Sequence, residues 1–193
     1  MMNDVTAAPK IDQEMMVLIE KLCNACGVSG GEGEVRRIVL EEVRPAVEAA
    51  GGSVQVDALG NVLVRRSGTG ENRLRVMLAA HMDEVGLMVT AAEGEGLFRF
   101  RIVGGIDERQ LVGKPLWVGK EHLPGVIGAK PIHLTTAEER KSSISLDGMR
   151  IDVGPANGGK VKAGERATFA TPFQEVGSSL RAKALDDRLG VAS

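Results

Sequence analysis

A histidine and an aspartate two positions apart, His81 and Asp83, are the first residue types in this chain that could do chemistry together. They directly follow residues 74–80, an almost wholly apolar run that predicts a strand covered on both faces. Open α/β sheets place their sites at strand ends. An imidazole there can bind a metal ion while a carboxylate fixes its tautomer and orientation. The alternative, a surface or packed core histidine, stays open from these residues alone.

An acidic pair, Asp186 and Asp187, follows a second apolar segment, residues 182–185, which predicts another buried strand. Adjacent carboxylates at a strand-to-helix junction can bridge two cations, because each oxygen of one carboxylate can bind a separate metal ion. The alternative is that an acidic residue only caps the helix that residues 186–193 enter. The pair is remote from His81 in the chain, so only the fold could unite the two groups.

The two cysteines, Cys23 and Cys26, have the Cys-x-x-Cys spacing of a redox pair or of half a zinc site. The chain has no further cysteine to complete a zinc knuckle. Both residues also continue the apolar face of a predicted helix. We therefore favour small buried side chains.

Two helices should precede these sites. The apolar spacing of residues 11–26 predicts the first. Ser29 and Glu32 have the spacing of a capping box at the start of the second, and Pro45 should kink or divide that helix because its ring clashes with the preceding turn. Two short strands around a hairpin-like turn follow, at residues 54–56 and 62–64.

The pattern changes after Asp83 to short strands separated by glycine and proline, which indicates a small closed barrel or sandwich. One helical hint occurs there, at residues 136–141. We therefore predict an α/β domain interrupted by a β-rich insert. Its parts are a disordered leader (1–10), the first part of the α/β domain (11–84), the insert (85–170) and an incomplete second part (171–193).

Composition limits the partners. The formal net charge is −2 and no basic cluster occurs, which argues against nucleic acid or an anionic membrane as the main partner. No stretch approaches the roughly 20 apolar residues that span a bilayer, and the first ten residues do not have the pattern of a signal peptide. We expect a cytoplasmic protein.

Taken together, several segments resemble one family, the glutamyl/deblocking aminopeptidases, or tetrahedral aminopeptidases, some members of which are described as endoglucanase-like. The similarity covers the chain after about Ile11, and the motifs occur in the family's order. The strongest two are residues 78–89, which contain His81-Met82-Asp83, and residues 184–190, which contain Asp186-Asp187-Arg188. The others lie at residues 26–30, 34–36, 57–62, 103–107, 125–128 and 151–154.

This resemblance implies a three-layer catalytic domain that binds two divalent metal ions, zinc or cobalt, and hydrolyses N-terminal residues from short peptides. Matched residue by residue, His81 would ligate one metal ion, Asp83 would orient His81, and Asp186 would bridge both ions. Asp187 receives no firm role. The β-rich insert would build dimers that assemble into larger homo-oligomers.

The family's general base and its remaining metal ligands come after the Asp-Asp-Arg motif, beyond Ser193. Glu175 precedes that motif, so we do not assign it as the base. We therefore expect the chain to be an incomplete and inactive N-terminal portion. Two alternatives stay open, a non-catalytic assembly module and a glycan hydrolase. His122 is expected in a turn, and His133 to have a structural role near a subunit interface or the site entrance.

Overall fold

The computed structural model describes residues 11–71 and 74–193. It has a mixed α/β fold, in which a closed six-stranded antiparallel barrel lies beside three helices and two small sheets. The predicted fold class is therefore confirmed, whereas the domain boundaries stay a prediction. The predicted leader, residues 1–10, lies outside the described residues. None of the helices in the described part of the chain is both long and apolar enough to cross a membrane.

Helix α1 (Gln13–Asn24) begins where the Asp12 carboxylate accepts a hydrogen bond of 2.9 Å from the Met15 amide. Such a cap satisfies an amide that has no partner within the helix. The helix packs the apolar face that its spacing predicted, with Leu22 and Cys23 fully buried. Cys26 lies beyond the end of the helix and is only half-buried.

Helix α2 (Gly33–Ala49) begins later than predicted, and the capping box is wrong. Ser29 donates its hydroxyl hydrogen bond to Asp83 instead of to the helix. The Glu32 carboxylate accepts from the Gly30 amide at 2.5 Å. The helix continues through Pro45 to Ala49, so Pro45 does not divide it.

Strands β1 (Ser53–Val56) and β2 (Val62–Arg65) form an antiparallel pair, as predicted, against which α2 packs. Asp57 holds the turn between them by accepting hydrogen bonds from the Leu59 and Asn61 amides. Apolar side chains on this two-stranded sheet remain exposed, among them Leu63 and Val64.

The predicted buried strand at residues 74–80 is wrong for this structure. The segment has no strand conformation, and its apolar side chains are exposed, Leu78 at 93%. An apolar run becomes a buried strand only where neighbouring strands and covering layers exist. No strand of the described residues pairs with this segment.

The barrel is built by six strands, which are β3 (Gly86–Ala92), β4 (Leu97–Val103), β5 (Pro115–Val118), β6 (Leu123–Ala129), β7 (Met149–Asp152) and β8 (Arg166–Phe169). They lie in the order β3-β4-β7-β6-β5-β8, and every neighbouring pair is antiparallel. Alternation places Phe98 and Phe100 in the core and Arg99 outside. The helical hint at residues 136–141 is a single 3-10 turn, Glu139–Lys141.

After the barrel, a short hairpin of β9 (Gln174–Val176) and β10 (Ser179–Arg181) leads to helix α3 (Leu185–Ala192), which packs on α1. The strand predicted at residues 182–185 is wrong. The Lys183 side chain there turns inward to reach the carbonyl oxygen of Ala25 at 2.7 Å. This contact holds the segment in a bend just before Asp186.

Candidate metal centre

The His81 imidazole lies between two carboxylates. Its Nδ1 is 2.9 Å from Asp83 Oδ1, and its Nε2 is 3.0 Å from Asp186 Oδ1. The two groups that the sequence placed far apart therefore meet within hydrogen-bond distance. Nε2 and Asp186 Oδ1 are two potential metal-ligand atoms on one side of the ring, while Asp83 lies on the other side.

The Asp83 carboxylate is also fixed by a second hydrogen bond. Its second oxygen accepts a hydrogen bond from the Ser29 hydroxyl, in the segment between α1 and α2. This hydroxyl and then the imidazole hold the pKa of the Asp83 carboxyl below its usual range. A carboxylate fixed in this way keeps the ring of His81 in one orientation.

The charge state of His81 follows from the same neighbours. Burial works to lower the pKa of His81, but the hydrogen bonds to Asp186 and Asp83 outweigh it and raise the pKa above the ordinary value. Without a cation between Nε2 and Asp186, the ring therefore gains a proton more readily than a free histidine.

Asp186 and Asp187 stand at the start of α3 but depart from helical backbone angles, and the peptide bond between them is cis. The Asp186 side chain is 94% exposed, so its carboxylate is accessible to further ligands. The Asp187 carboxylate contacts backbone amides. It accepts hydrogen bonds from the amides of Gly190 at 3.1 Å and His81 at 3.3 Å, which ties the start of α3 to the His81 segment.

Sequence reasoning missed a buried ion cluster that supports these residues. Glu84 is bound by Lys183 Nζ at 2.6 Å and lies 3.5 Å from Arg188 Nη2. Its Oε1 also accepts from the Gly27 amide at 2.9 Å. Because Glu84 follows Asp83 and the two cations flank Asp186, the cluster ties both halves of the site together. The one signal in sequence is that all three charges adjoin the two motifs.

A cleft of about 610 Å³ opens beside His81 and Asp83. Its walls come mainly from apolar residues of α2, the β1–β2 hairpin and residues 78–80, including Val39, Leu59 and Val62. The candidate centre thus lies at the side of a surface that can accept an apolar side chain.

The remaining predicted residues lie elsewhere. His122 is in the turn between β5 and β6, as expected, and His133 is exposed in the 3-10 turn Ile132–Leu134. Glu175 is exposed on β9. Cys23 is fully buried, as predicted, and both cysteines are free thiols.

The donor set at His81 and Asp186 is chemically suited to a divalent metal ion. A neutral imidazole with its Nδ1 engaged by a carboxylate presents Nε2 as a ligand, and carboxylate oxygens bind zinc as well. These residues supply two ligands, fewer than the three protein groups of a catalytic zinc site.

Comparison with known proteins identifies the family of this chain. Residues 60–193 match the family model described as M42 glutamyl aminopeptidase. The chain belongs to this family. The lysyl aminopeptidase of Pyrococcus furiosus is 31% identical over 151 residues, which are 76% of this chain and 41% of that protein.

Solved structures of M42 relatives superpose on most of the chain. The TET aminopeptidase of the marine sediment archaeon Thaumarchaeota archaeon SCGC AB-539-E09 is 31% identical, with a TM-score of 0.82 over 93% of this chain and 51% of that one. The TET1 peptidase of Pyrococcus horikoshii, which can assemble into a tetrahedron or a large octahedral shell, is 35% identical, with a TM-score of 0.76 over 92% of this chain and 53% of that one. The chain spans about half the length of the relatives that it matches most fully.

Proposed function

We propose that these residues form part of a metal-dependent aminopeptidase, in which His81 ligates one divalent metal ion, Asp186 bridges two, and Asp83 positions His81. The observation that carries this proposal is the 3.0 Å approach of His81 Nε2 to Asp186 Oδ1, with Nδ1 held by Asp83. Zinc or cobalt suits the nitrogen and oxygen donors. The further ligands and the general base would come from a part of the protein that these residues do not include.

Bound metal ions would polarise the scissile carbonyl and lower the pKa of a coordinated water. Within this chain, Asp83 fixes the ring of His81, and Ser29 fixes Asp83. The buried Glu84 links the His81 segment to the Asp186 segment through its ion pair with Lys183. The free amino terminus of a peptide would be held near these metal ions. The apolar cleft beside His81 would accept the first side chain.

We also propose that the protein is cytoplasmic and forms homo-oligomers through the barrel. The P. horikoshii relative, which can assemble into a tetrahedron or a large octahedral shell, supports the assembly. Assembly without hydrolysis is the competing proposal, because these residues supply only two of the metal ligands. A glycan hydrolase is the third, and it would need two carboxylates placed across a sugar bond.

A single assay separates these functions. The natural protein, with its length fixed by mass spectrometry, would be given leucyl- and glutamyl-anilides or cellulose oligomers after removal and return of Zn²⁺ or Co²⁺. We expect anilide hydrolysis that requires metal and is abolished by His81→Ala, while His133→Asn serves as the matched control. Particles without hydrolysis would favour the assembly module, and release of sugar would favour the glycan hydrolase.

A further inference from the structure

A second group of potential metal ligands lies where the helical region, which consists of α1, α2, α3 and the β1–β2 hairpin, meets the barrel. Cys26 follows α1, Glu34 lies in the first turn of α2, and His122 comes from the turn between β5 and β6. One donor atom of each lies within 4.8 Å of the other two, and all three residues are partly buried. None of them belongs to the His81–Asp186 centre.

The Glu34 carboxylate organises this group. One oxygen lies 2.5 Å from His122 Nε2, and the other accepts a hydrogen bond of 3.1 Å from the Cys26 amide. His122 has a φ of 50°, which residues other than glycine rarely adopt. The His122 amide donates to the Gly119 carbonyl at 3.2 Å, so the turn holds this conformation and directs the ring at Glu34.

A cysteine, a histidine and a carboxylate could also form a nucleophilic triad. A nucleophilic cysteine needs a lowered pKa. Burial instead raises the pKa of Cys26 to about 11, and Glu34 and Glu84 act in the same direction against the cationic Lys183 and Arg188. In addition, His122 Nε2 faces the Glu34 carboxylate and not the thiol. A bound cation, by contrast, deprotonates a coordinating thiol outright.

We propose that Cys26, Glu34 and His122 bind one zinc-type divalent cation that links the α1–α2 connection to the barrel. Thiolate sulfur, imidazole nitrogen and carboxylate oxygen are the three ligand types of zinc sites. The two anions would neutralise the ion. This site goes beyond the proposed aminopeptidase activity and does not depend on it.

The geometry admits the ion after small side-chain movements. Tetrahedral zinc holds neighbouring nitrogen, oxygen and sulfur ligands about 3.3 to 3.6 Å apart. The contact between Glu34 and His122 must therefore open by about 1 Å, and Cys26 Sγ already lies within 4.8 Å of a donor atom of each of them. A cavity of about 200 Å³ that Cys26 and Glu34 line leaves room for a water as fourth ligand.

Titration of the 193-residue chain with Co²⁺ under reducing conditions tests the proposal. Thiolate-bound cobalt gives a charge-transfer absorption in the near ultraviolet, which the sulfur-free His81–Asp186 centre cannot produce. We expect this absorption to saturate at one cobalt ion per chain and to persist in His81→Ala. It should vanish in Cys26→Ala and persist in the matched control Cys23→Ala, after circular dichroism has shown that each variant is folded.

His122→Asn and Glu34→Gln carry the test if Cys26→Ala does not fold. Asparagine tolerates the left-handed backbone of position 122, and glutamine can still accept from the Cys26 amide. Each should weaken Co²⁺ binding at least about tenfold, whereas His133→Asn should not. Added Zn²⁺ should raise the melting temperature of the wild type more than that of these variants. Absence of the absorption, or its loss in Cys23→Ala but not in Cys26→Ala, would overturn the proposal.

Discussion

The barrel and the helical region differ in how many strand edges they leave unpaired. In the barrel six strands close on one another, which removes all edges and encloses a core of aliphatic and aromatic side chains. The β1–β2 hairpin keeps two open edges, and residues 74–80 lie exposed beside it. Two-stranded sheets are marginally stable without further packing.

The difference shows which part is self-sufficient. The barrel completes its core within residues 86–169, because β3 pairs with β8 and the connecting segments add Leu111, Val153 and Val161 to the core. The helical region instead joins α1, α2 and α3 through a small core and one buried ion cluster around Glu84. The candidate metal centre belongs to this less complete region. We therefore expect the two regions to respond differently to substitution.

The largest expected effect concerns the ion cluster. Glu84→Ala removes a carboxylate that is 2% exposed and leaves Lys183 and Arg188 buried without it. Breaking a buried ion pair from one side lowers the free energy of unfolding by about 3–5 kcal/mol. The urea midpoint measured by helical circular dichroism should then fall below the midpoint measured by the fluorescence of Trp117. Trp117 is the single tryptophan and lies on β5 of the barrel.

Glu95→Ala, which removes an exposed carboxylate, is the control and should leave both transitions in place. Equal shifts of the helical and Trp117 signals in Glu84→Ala would contradict the comparison, because the two regions would then unfold as one unit.

The second prediction uses one substitution at two positions. Leu87 on β3 is 0% exposed, whereas Leu78 is 93% exposed. Leu87→Ala should lower the free energy of unfolding by about 2–5 kcal/mol, and Leu78→Ala should change it by less than about 0.5 kcal/mol. Urea unfolding followed at Trp117 and by circular dichroism measures both. A large loss in Leu78→Ala would mean that residues 74–80 are packed in solution, by a second copy or by a sheet neighbour.

The sequence predicted the barrel better than the rest for a physical reason. Alternation along β4 depends on the inside and outside of one sheet, and that sheet is complete within the chain. The apolar run at 74–80 has the composition of a covered strand, yet composition does not supply the neighbours that would cover it. Ser29 has the right spacing for a helix cap, but its hydroxyl donates a hydrogen bond to Asp83 instead.

Long-range contacts at the candidate sites could be predicted from the sequence only in part. The meeting of His81 with Asp186 was anticipated through family resemblance, since spacing alone could not join remote segments. Nothing in the sequence joined Cys26 and Glu34 to His122, because the histidine lies 88 residues beyond Glu34 and meets it only in the folded chain.

The third prediction tests positioning within the less complete region. Asp83→Ala frees the His81 ring while leaving its Nε2 and the Asp186 carboxylate in place. Loss of such an outer partner typically lowers metal affinity about 10–100-fold. Isothermal titration with Zn²⁺ in the Cys26→Ala background isolates the His81–Asp186 centre. Asp83→Asn, which can still accept from Nδ1, should recover part of the affinity, and unchanged affinity in Asp83→Ala would refute the positioning role.

The smallest expected effect belongs to the barrel surface. The guanidinium groups of Arg150 and then Arg99 lower the pKa of Glu93 to about 2, Arg99 Nη2 lying 2.8 Å from Oε1. Because this folded-state pKa lies below the ordinary value of 4.5, the stabilisation is fully present above pH 4.5 and is lost as the pH falls through about 2. Carbon-13 NMR of the side-chain carboxyl should show a midpoint near 2, and Arg150→Gln should raise it. A wild-type midpoint near the ordinary value of 4.5 would show that the pairs on this surface do not persist in water.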